Sequence, residues 1–172
     1  MVIVKTNVAH AELILNYYID NKSHLELWEP KKTSQFYDLS LWRKRLALRE
    51  KDMTLGNACY FAALNDEQSH IIGLCSLTQI IKGAFKAAYL GYSIDKQYQG
   101  RGKMSKLLNY TITYAFDELK LHRIMANYMP SNRRSEKLLL SLGFVKEGRA
   151  RKYLKINGQW EDHILTSLIN LK

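Results

Sequence analysis

Apolar positions recur along the chain at two different spacings, and the change of spacing divides it. Residues 2–5 form a short apolar run that reads as a first strand. Over residues 9–20, Ala9, Leu13, Ile14, Tyr17 and Tyr18 keep a helical interval. A second helix is expected over residues 39–51 through Trp42, Leu46 and Leu48. Between them, residues 25–28 read as a helical turn stopped by Pro30, whose ring cannot continue a helix.

From residue 58 the spacing shortens. Residues 59–64 and 71–77 are apolar, β-branched and aromatic, with Asn65, Asp66 and Glu67 between them, and predict a hairpin. A third strand is expected over residues 84–94. A helix over residues 102–119 then carries Met104, Leu107, Leu108, Thr111, Ile112, Ala115 and Leu119 on one face, the face of a helix packed on a sheet. Residues 122–128 read as a buried strand, and residues 132–142 as a helix closed by Gly143. The remainder reads as a long hairpin turning at Asn157 and Gly158. Strands in a meander, followed by strands alternating with helices, indicate a mixed α/β sheet. No Gly/Ser linker or internal repeat interrupts the pattern, so one domain spanning residues 1–172 is expected.

The junction between the third strand and the following helix carries the most chemistry. Gln97-Tyr98-Gln99-Gly100-Arg101-Gly102 is a glycine turn at a helix N-terminus. Glycines let backbone N–H groups approach an anion, and the helix adds its unpaired donors and positive dipole end. A pyrophosphate is the expected ligand. A dinucleotide fingerprint would need a third glycine where Ser105 stands, and a phosphate-binding P-loop would need a glycine at Gln97 and a hydroxyl residue at Met104. Both nucleotide folds therefore fail, and an incidental Gly-x-Gly turn stays open beside an anion cradle.

Gln-x-x-Gly-x-Gly opening a helix resembles the acetyl-CoA signature of the GNAT superfamily of N-acetyltransferases, and the element order of nearly the whole chain is similar to theirs. Trp28-Glu29-Pro30, residues 89–94, residues 122–130, Asn132 with Ser135, Leu142-Gly143-Phe144 and Gly158-Gln159-Trp160 resemble the RimJ branch, the ribosomal-protein N-terminal alanine acetyltransferases. The resemblance implies a mostly antiparallel, mixed sheet of six to seven strands flanked by helices, with a splay between the fourth and fifth. It also implies transfer of acetyl from acetyl-CoA to a primary amine by direct attack.

Residue by residue, the resemblance places the pyrophosphate on the amides of Gln99, Gly100, Arg101, Gly102, Lys103 and Met104. Arg101 and Lys103 add charge at a helix N-terminus, where a cation opposes the dipole unless an anion binds there. Gly91, Tyr92 and Ser93 would pair with the pantetheine amides, and the backbone N–H of Tyr92 would face the thioester carbonyl. Asn132 would contact the pantetheine arm and Ser135 the departing sulfur, although both residues also suit a helix N-cap and first turn. Many relatives carry a tyrosine four residues after this serine. Leu139 stands there, which moves the leaving-group role to Ser135.

For the acceptor, an α-amine with a pKa of about 7.7–8.0 asks less of a base than a lysine at about 10.4. Consistently, residues 84–94 hold no Asp or Glu. Glu29 is the first base candidate, with a surface carboxylate at a helix end as its alternative. Glu147 is the second, and the glutamate of the related RimL branch falls near Leu154, so this chain lacks it. His122 reads as structural rather than catalytic, and Trp160 as a packing residue of the hairpin.

Composition narrows the setting. His10, His24, His70, His122 and His163 are scattered without a metal-ligand spacing, so no metal is expected. Cys59 and Cys75 sit in apolar runs and read as reduced core residues. No apolar run approaches the ~18 residues of a membrane span, so a cytoplasmic protein without membrane contact is expected. The formal charge of +10 fits a solvated basic face with local phosphate binding, or association with an RNA-rich partner such as the ribosome. Three functions stay open on these grounds. They are acetylation of a protein N-terminus, possession of a small-molecule amine as acceptor, and a ribosome- or RNA-associated role without turnover.

Overall fold

The computed structural model describes residues 1–171; Lys172, the last residue of the expected domain, lies outside the described residues. The strands are β1 (Val2–Lys5), β2 (Cys59–Leu64), β3 (Ile71–Ile81), β4 (Ala87–Ile94), β5 (Arg123–Tyr128), β6 (Val145–Ile156) and β7 (Gln159–Ile169). The helices are α1 (Ala11–Asp20), α2 (Lys22–Leu25), α3 (Leu39–Thr54), α4 (Lys103–Thr113) and α5 (Arg133–Ser141). One seven-stranded sheet runs in the order β1-β2-β3-β4-β5-β7-β6. Every adjacent pair is antiparallel except β4 with β5, which is parallel. The expected mixed, mostly antiparallel sheet is thus present.

Helices cover both faces because strand side chains alternate between them. On one face Phe61, Ala63, Cys75, Leu77, Leu90 and Ile124 pack with Met104, Leu107 and Leu108 of α4 and Leu139 of α5. On the other, Leu64 and Ile71 pack with Ile14 and Tyr17 of α1 and Trp42 and Leu46 of α3. Leu107 and Leu108 are fully buried, and each contributes roughly 1.5–3 kcal/mol by leaving water. Cys59 and Cys75 are free and buried.

Two of the departures from the pattern-based boundaries have a visible cause. β3 continues past Leu77 to Ile81, because Gln79 takes a positive φ of 50° and a bulge between Thr78 and Ile81 lets pairing with β4 resume at Ala87. The helix expected to reach residue 119 is regular only to Thr113 and then widens into a π-helical turn over Tyr114–Glu118. There Tyr114 meets the Lys5 ammonium, which donates to its hydroxyl at 2.9 Å, and the ring of Phe61.

The feature that positions the site is the incomplete pairing of β4 with β5. Their register covers only Ala87 with Arg123, Ala88 with Ile124 and Tyr89 with Met125. Beyond Tyr89, β4 runs on to Ile94 bonded to β3 alone, while β5 continues to Tyr128 bonded to β7. The splay expected between the fourth and fifth strands is this gap.

Candidate active site

Which backbone groups face the gap follows from two hydrogen bonds and the two-residue period of a strand. At one end the carbonyl of Lys86 accepts from the amides of His122 and Arg123, so even-numbered residues of β4 turn toward β5. At the other, the amide of Asp95 donates to Ile72 on β3 at 2.9 Å, so odd-numbered residues turn away. Leu90, Tyr92 and Ile94 therefore direct their backbone groups into the gap, whereas Gly91 and Ser93 direct theirs to β3. Among the three strand residues singled out from sequence, Tyr92 alone offers an N–H and a C=O to a ligand lying there.

The gap opens onto the glycine turn. Gly100 and Gly102 have φ of 70° and 67°, and nothing lies within 4 Å of a Cβ built on either. That left-handed backbone costs other residues about 1–2 kcal/mol, and the open space above it is where an anion can reach the amides. Gly102 is the N-cap of α4 and brings no capping side chain, so first-turn amides at Lys103 and Met104 have no side-chain acceptor there. Pyrophosphate fits this cradle.

Buried polar groups hold the cradle in place. The Asp95 carboxylate accepts from the Gln97 amide at 2.7 Å, from His70 Nε2 at 2.9 Å and from Asn21 Nδ2 at 3.2 Å. Asn21 also accepts from the Lys96 amide at 2.9 Å, which ties the end of α1 to the start of the turn. Gln99 stands between two elements: its amide donates to His24 Nε2 at 2.9 Å, and its carbonyl accepts from Arg134 on α5. Burial lowers the pKa of His24, which favours the neutral ring that accepts this bond.

Across the gap, α5 begins where its sequence says it should. Asn132 is the N-cap, and its side chain accepts from the Ser135 amide at 3.1 Å. The Ser135 hydroxyl lies 2.6 Å from the hydroxyl of Tyr92. Burial pushes the Tyr92 phenol up to about 12. Leu139, one turn further along α5, is fully buried in the core and offers no proton.

The opposite face of β4 presents different groups. Tyr17 on α1 donates its hydroxyl to Ser93 at 2.9 Å, and burial pushes the Tyr17 phenol far up, so it stays protonated. Glu29 forms an ion pair with Lys32, and the same ammonium lies 4.4 Å from the centre of the Tyr18 ring. The Glu29 carbonyl accepts from the amide of Asn157 at 3.0 Å, so the loop after α2 meets the tip of the β6–β7 hairpin.

The acetyltransferase (GNAT) domain model matches residues 2–145. The chain belongs to the GNAT acetyltransferase family. Its members are N-acetyltransferases that use acetyl-CoA, so this chain is an acetyl-CoA-dependent acyltransferase. It is 43% identical over 155 residues to the ribosomal protein uS5-alanine N-acetyltransferase of Escherichia coli, with 90% of this chain and 80% of that one covered. The crystal structure of the ribosomal-protein-S5-alanine acetyltransferase from Vibrio fischeri superposes with a TM-score of 0.96 at 44% identity, covering 99% of this chain and 93% of that one. The fold is also that of Mycobacterium smegmatis RimJ, solved with CoA-disulfide, at a TM-score of 0.90 and 24% identity over 97% and 80% of the two chains.

In this GNAT chain the structure brings Gly91, Tyr92, Ser93, Asn132 and Ser135 to the two sides of the gap, with Gln99 to Met104 at its mouth. Glu29 lies at the contact with the hairpin tip, where its charge also reaches the phenols of Tyr17 and Tyr18. Glu147 is committed elsewhere: it pairs with Arg123 and accepts from Ser167 at 2.8 Å, a tie between β5, β6 and β7. His122 is a strand-end residue whose amide and carbonyl bond Lys86 and Asn170. Trp160 is 60% exposed, so it is not the packed residue expected of the hairpin; it stands opposite Lys155 near the hairpin tip. Among the described residues no group of His, Cys, Asp or Glu could hold a metal ion, and no helix is long and apolar enough to cross a membrane.

Sequence reasoning missed Tyr17, Asn21, His24, Asp95 and Arg134. Asn21 and Asp95 carried a legible signal, since each is a polar residue closing an apolar run. Tyr17 was hidden because a tyrosine at helical spacing reads as core.

Proposed function

We propose that this chain acetylates the α-amino group of a protein N-terminus, an alanine that begins a ribosomal protein, in the cytoplasm. The observation that carries the reading is the unpaired edge of β4 at Tyr92, set between the glycine cradle and the start of α5. The names of the relatives above extend it to the acceptor. The net charge of +10 favours encounter with an RNA-rich particle, where such an N-terminus is displayed.

In this reading the amides of Gln99 to Met104 hold the pyrophosphate, with Arg101 and Lys103 adding charge. The gap-facing groups of Tyr92 pair with the pantetheine amide or meet the thioester oxygen, whose growing negative charge the Tyr92 N–H stabilises. Asn132 contacts the pantetheine arm. Ser135 donates to the sulfur as the C–S bond breaks, and a thiol resembling cysteine, with a pKa of about 8.5, leaves readily as the thiolate. The amine enters from the α1 face, past Ser93 and Tyr17, and Glu29 orients the ammonium or takes its proton through water.

The test is thiol release from acetyl-CoA with an alanine-starting peptide taken from a ribosomal protein, beside the same peptide blocked at its N-terminus. The free peptide is expected to drive release, with the acetyl group found on the α-nitrogen by mass spectrometry. Equal rates for the two peptides, or faster turnover with spermidine, would overturn the assignment of the acceptor.

A further inference from the structure

We propose that the side-chain hydroxyl of Tyr92 is a positioning group for Ser135, so that the two form a hydrogen-bond chain ending on the departing sulfur. This deepens the proposed function and rests on its assignment of Ser135 to the leaving group. The two oxygens are 2.6 Å apart, a short O–H···O bond. Among the described residues Tyr92 is the hydrogen-bond partner of the serine hydroxyl; the bond of the Ser135 amide to Asn132 leaves that hydroxyl free to turn.

A serine hydroxyl has one proton to donate and lone pairs to accept with. When Tyr92 donates to Ser135, the serine proton is released from the tyrosine and directed away from it, into the gap. The phenol keeps its proton throughout the neutral range, since an ordinary tyrosine loses it only near ~10 and burial raises that further here. Donation in series also polarises each bond in the chain, which strengthens the one that reaches the sulfur.

The strand geometry gives Tyr92 both ends of the reacting group. Its backbone turns into the gap, while its side chain turns to the α4 and α5 face, where it packs against the core. One turn after Ser135, α5 supplies no second hydroxyl, because Leu139 stands there buried and apolar. β4 supplies it instead. In the transfer, the N–C bond forms and the C–S bond breaks with its electron pair going to sulfur. The amine proton leaves to water on the α1 face, and the Tyr92–Ser135 chain donates hydrogen bonds to the thiolate without losing a proton.

The experiment is a double-mutant cycle of Tyr92→Phe and Ser135→Ala, read as kcat and as KM for acetyl-CoA with whichever amine the wild type turns over. Failure of the alanine peptide alone therefore leaves the cycle readable. Tyr92→Phe keeps the ring and is expected to lower kcat about tenfold, the upper end of what one hydrogen bond between neutral groups contributes, with KM nearly unchanged. In the Ser135→Ala background the same substitution is expected to add nothing. Independent, multiplicative losses would overturn the proposal, as would full kcat in Tyr92→Phe or in Ser135→Ala. A second readout needs no acceptor: the ultraviolet thiolate absorbance of bound CoA, titrated with pH. The thiol is expected to ionise at lower pH on the wild type than on Tyr92→Phe, and identical titrations would count against the chain.

Discussion

The carbonyl of Glu29 accepts a hydrogen bond from the amide of Asn157 at 3.0 Å, and this single bond joins two segments far apart in sequence. It fixes the main chain at Glu29 while leaving the carboxylate to Lys32. Glu29→Gln should therefore keep the loop in place and remove only the charge. The expected result is a fall of about 100-fold or more in kcat/KM for the peptide, the low end of what a lost base costs, with KM for acetyl-CoA unchanged. Steady-state kinetics varying each substrate in turn checks this, and an equal loss for both substrates would contradict it.

The glycine cradle predicts a different split. At Gly100 and Gly102 a Cβ meets no neighbour, yet both φ values are positive. Gly100→Ala or Gly102→Ala should cost about 1 kcal/mol in stability from backbone strain alone. The larger effect should be on the ligand, because the new methyl occupies the space an anion needs. Calorimetric titration with CoA is expected to show at least about tenfold weaker binding, while kcat at saturating acetyl-CoA changes less.

Asp95 is nearly fully buried and serves three donors, the Gln97 amide, His70 and Asn21. Asp95→Ala leaves all three without this acceptor, and Asn21 among them is itself buried. Roughly 2–4 kcal/mol of destabilisation is expected, from the cost of unsatisfied buried polar groups. Urea unfolding measures it. CoA affinity should fall as well, because the same carboxylate holds the turn that leads into Gly100.

The pH dependence of stability has a worked sign at each end. Tyr92 is raised to about 12 and Tyr17 is raised well above its ordinary value, both chiefly by burial. Above pH ~10 the unfolded chain loses these protons first. Their contribution is present in full below that pH and is lost as pH rises through the folded-state values. Tyr92→Phe should flatten part of the alkaline decline seen by thermal unfolding. At the acid end, hydrogen bonds from Lys146 and Arg133 hold Glu136 down to about 2. Its contribution is present above the ordinary carboxylate range, about 4.3, and fades as pH falls toward 2, so Glu136→Gln should weaken the acid dependence.

Local pattern was enough for most elements because their causes are local. The apolar stripe from Met104 to Ala115 makes a helix wherever it lies, and Asn132 caps α5 with its own side chain. The glycines of the cradle were legible for the same reason: positive φ is a demand made within three or four residues. Boundaries failed where a distant partner set them. β3 outran its apolar run through pairing with β4 beyond a bulge, and the end of α4 widened where Tyr114 meets Lys5 and Phe61.

By itself, then, the amino-acid order determined the succession of strands and helices and the glycine turn, because each depends on neighbours in sequence; the donor coenzyme followed from the resemblance to a family. The tertiary structure alone decided which groups face one another across the gap. Tyr92 and Ser135 are 43 residues apart, and only the packing of α5 against the sheet brings their hydroxyls together. It likewise removed Glu147 from the site, since its carboxylate is bound by Arg123 and Ser167. A side chain's spacing along the chain fixes the face on which it emerges, whereas its partner depends on what the packed sheet places opposite.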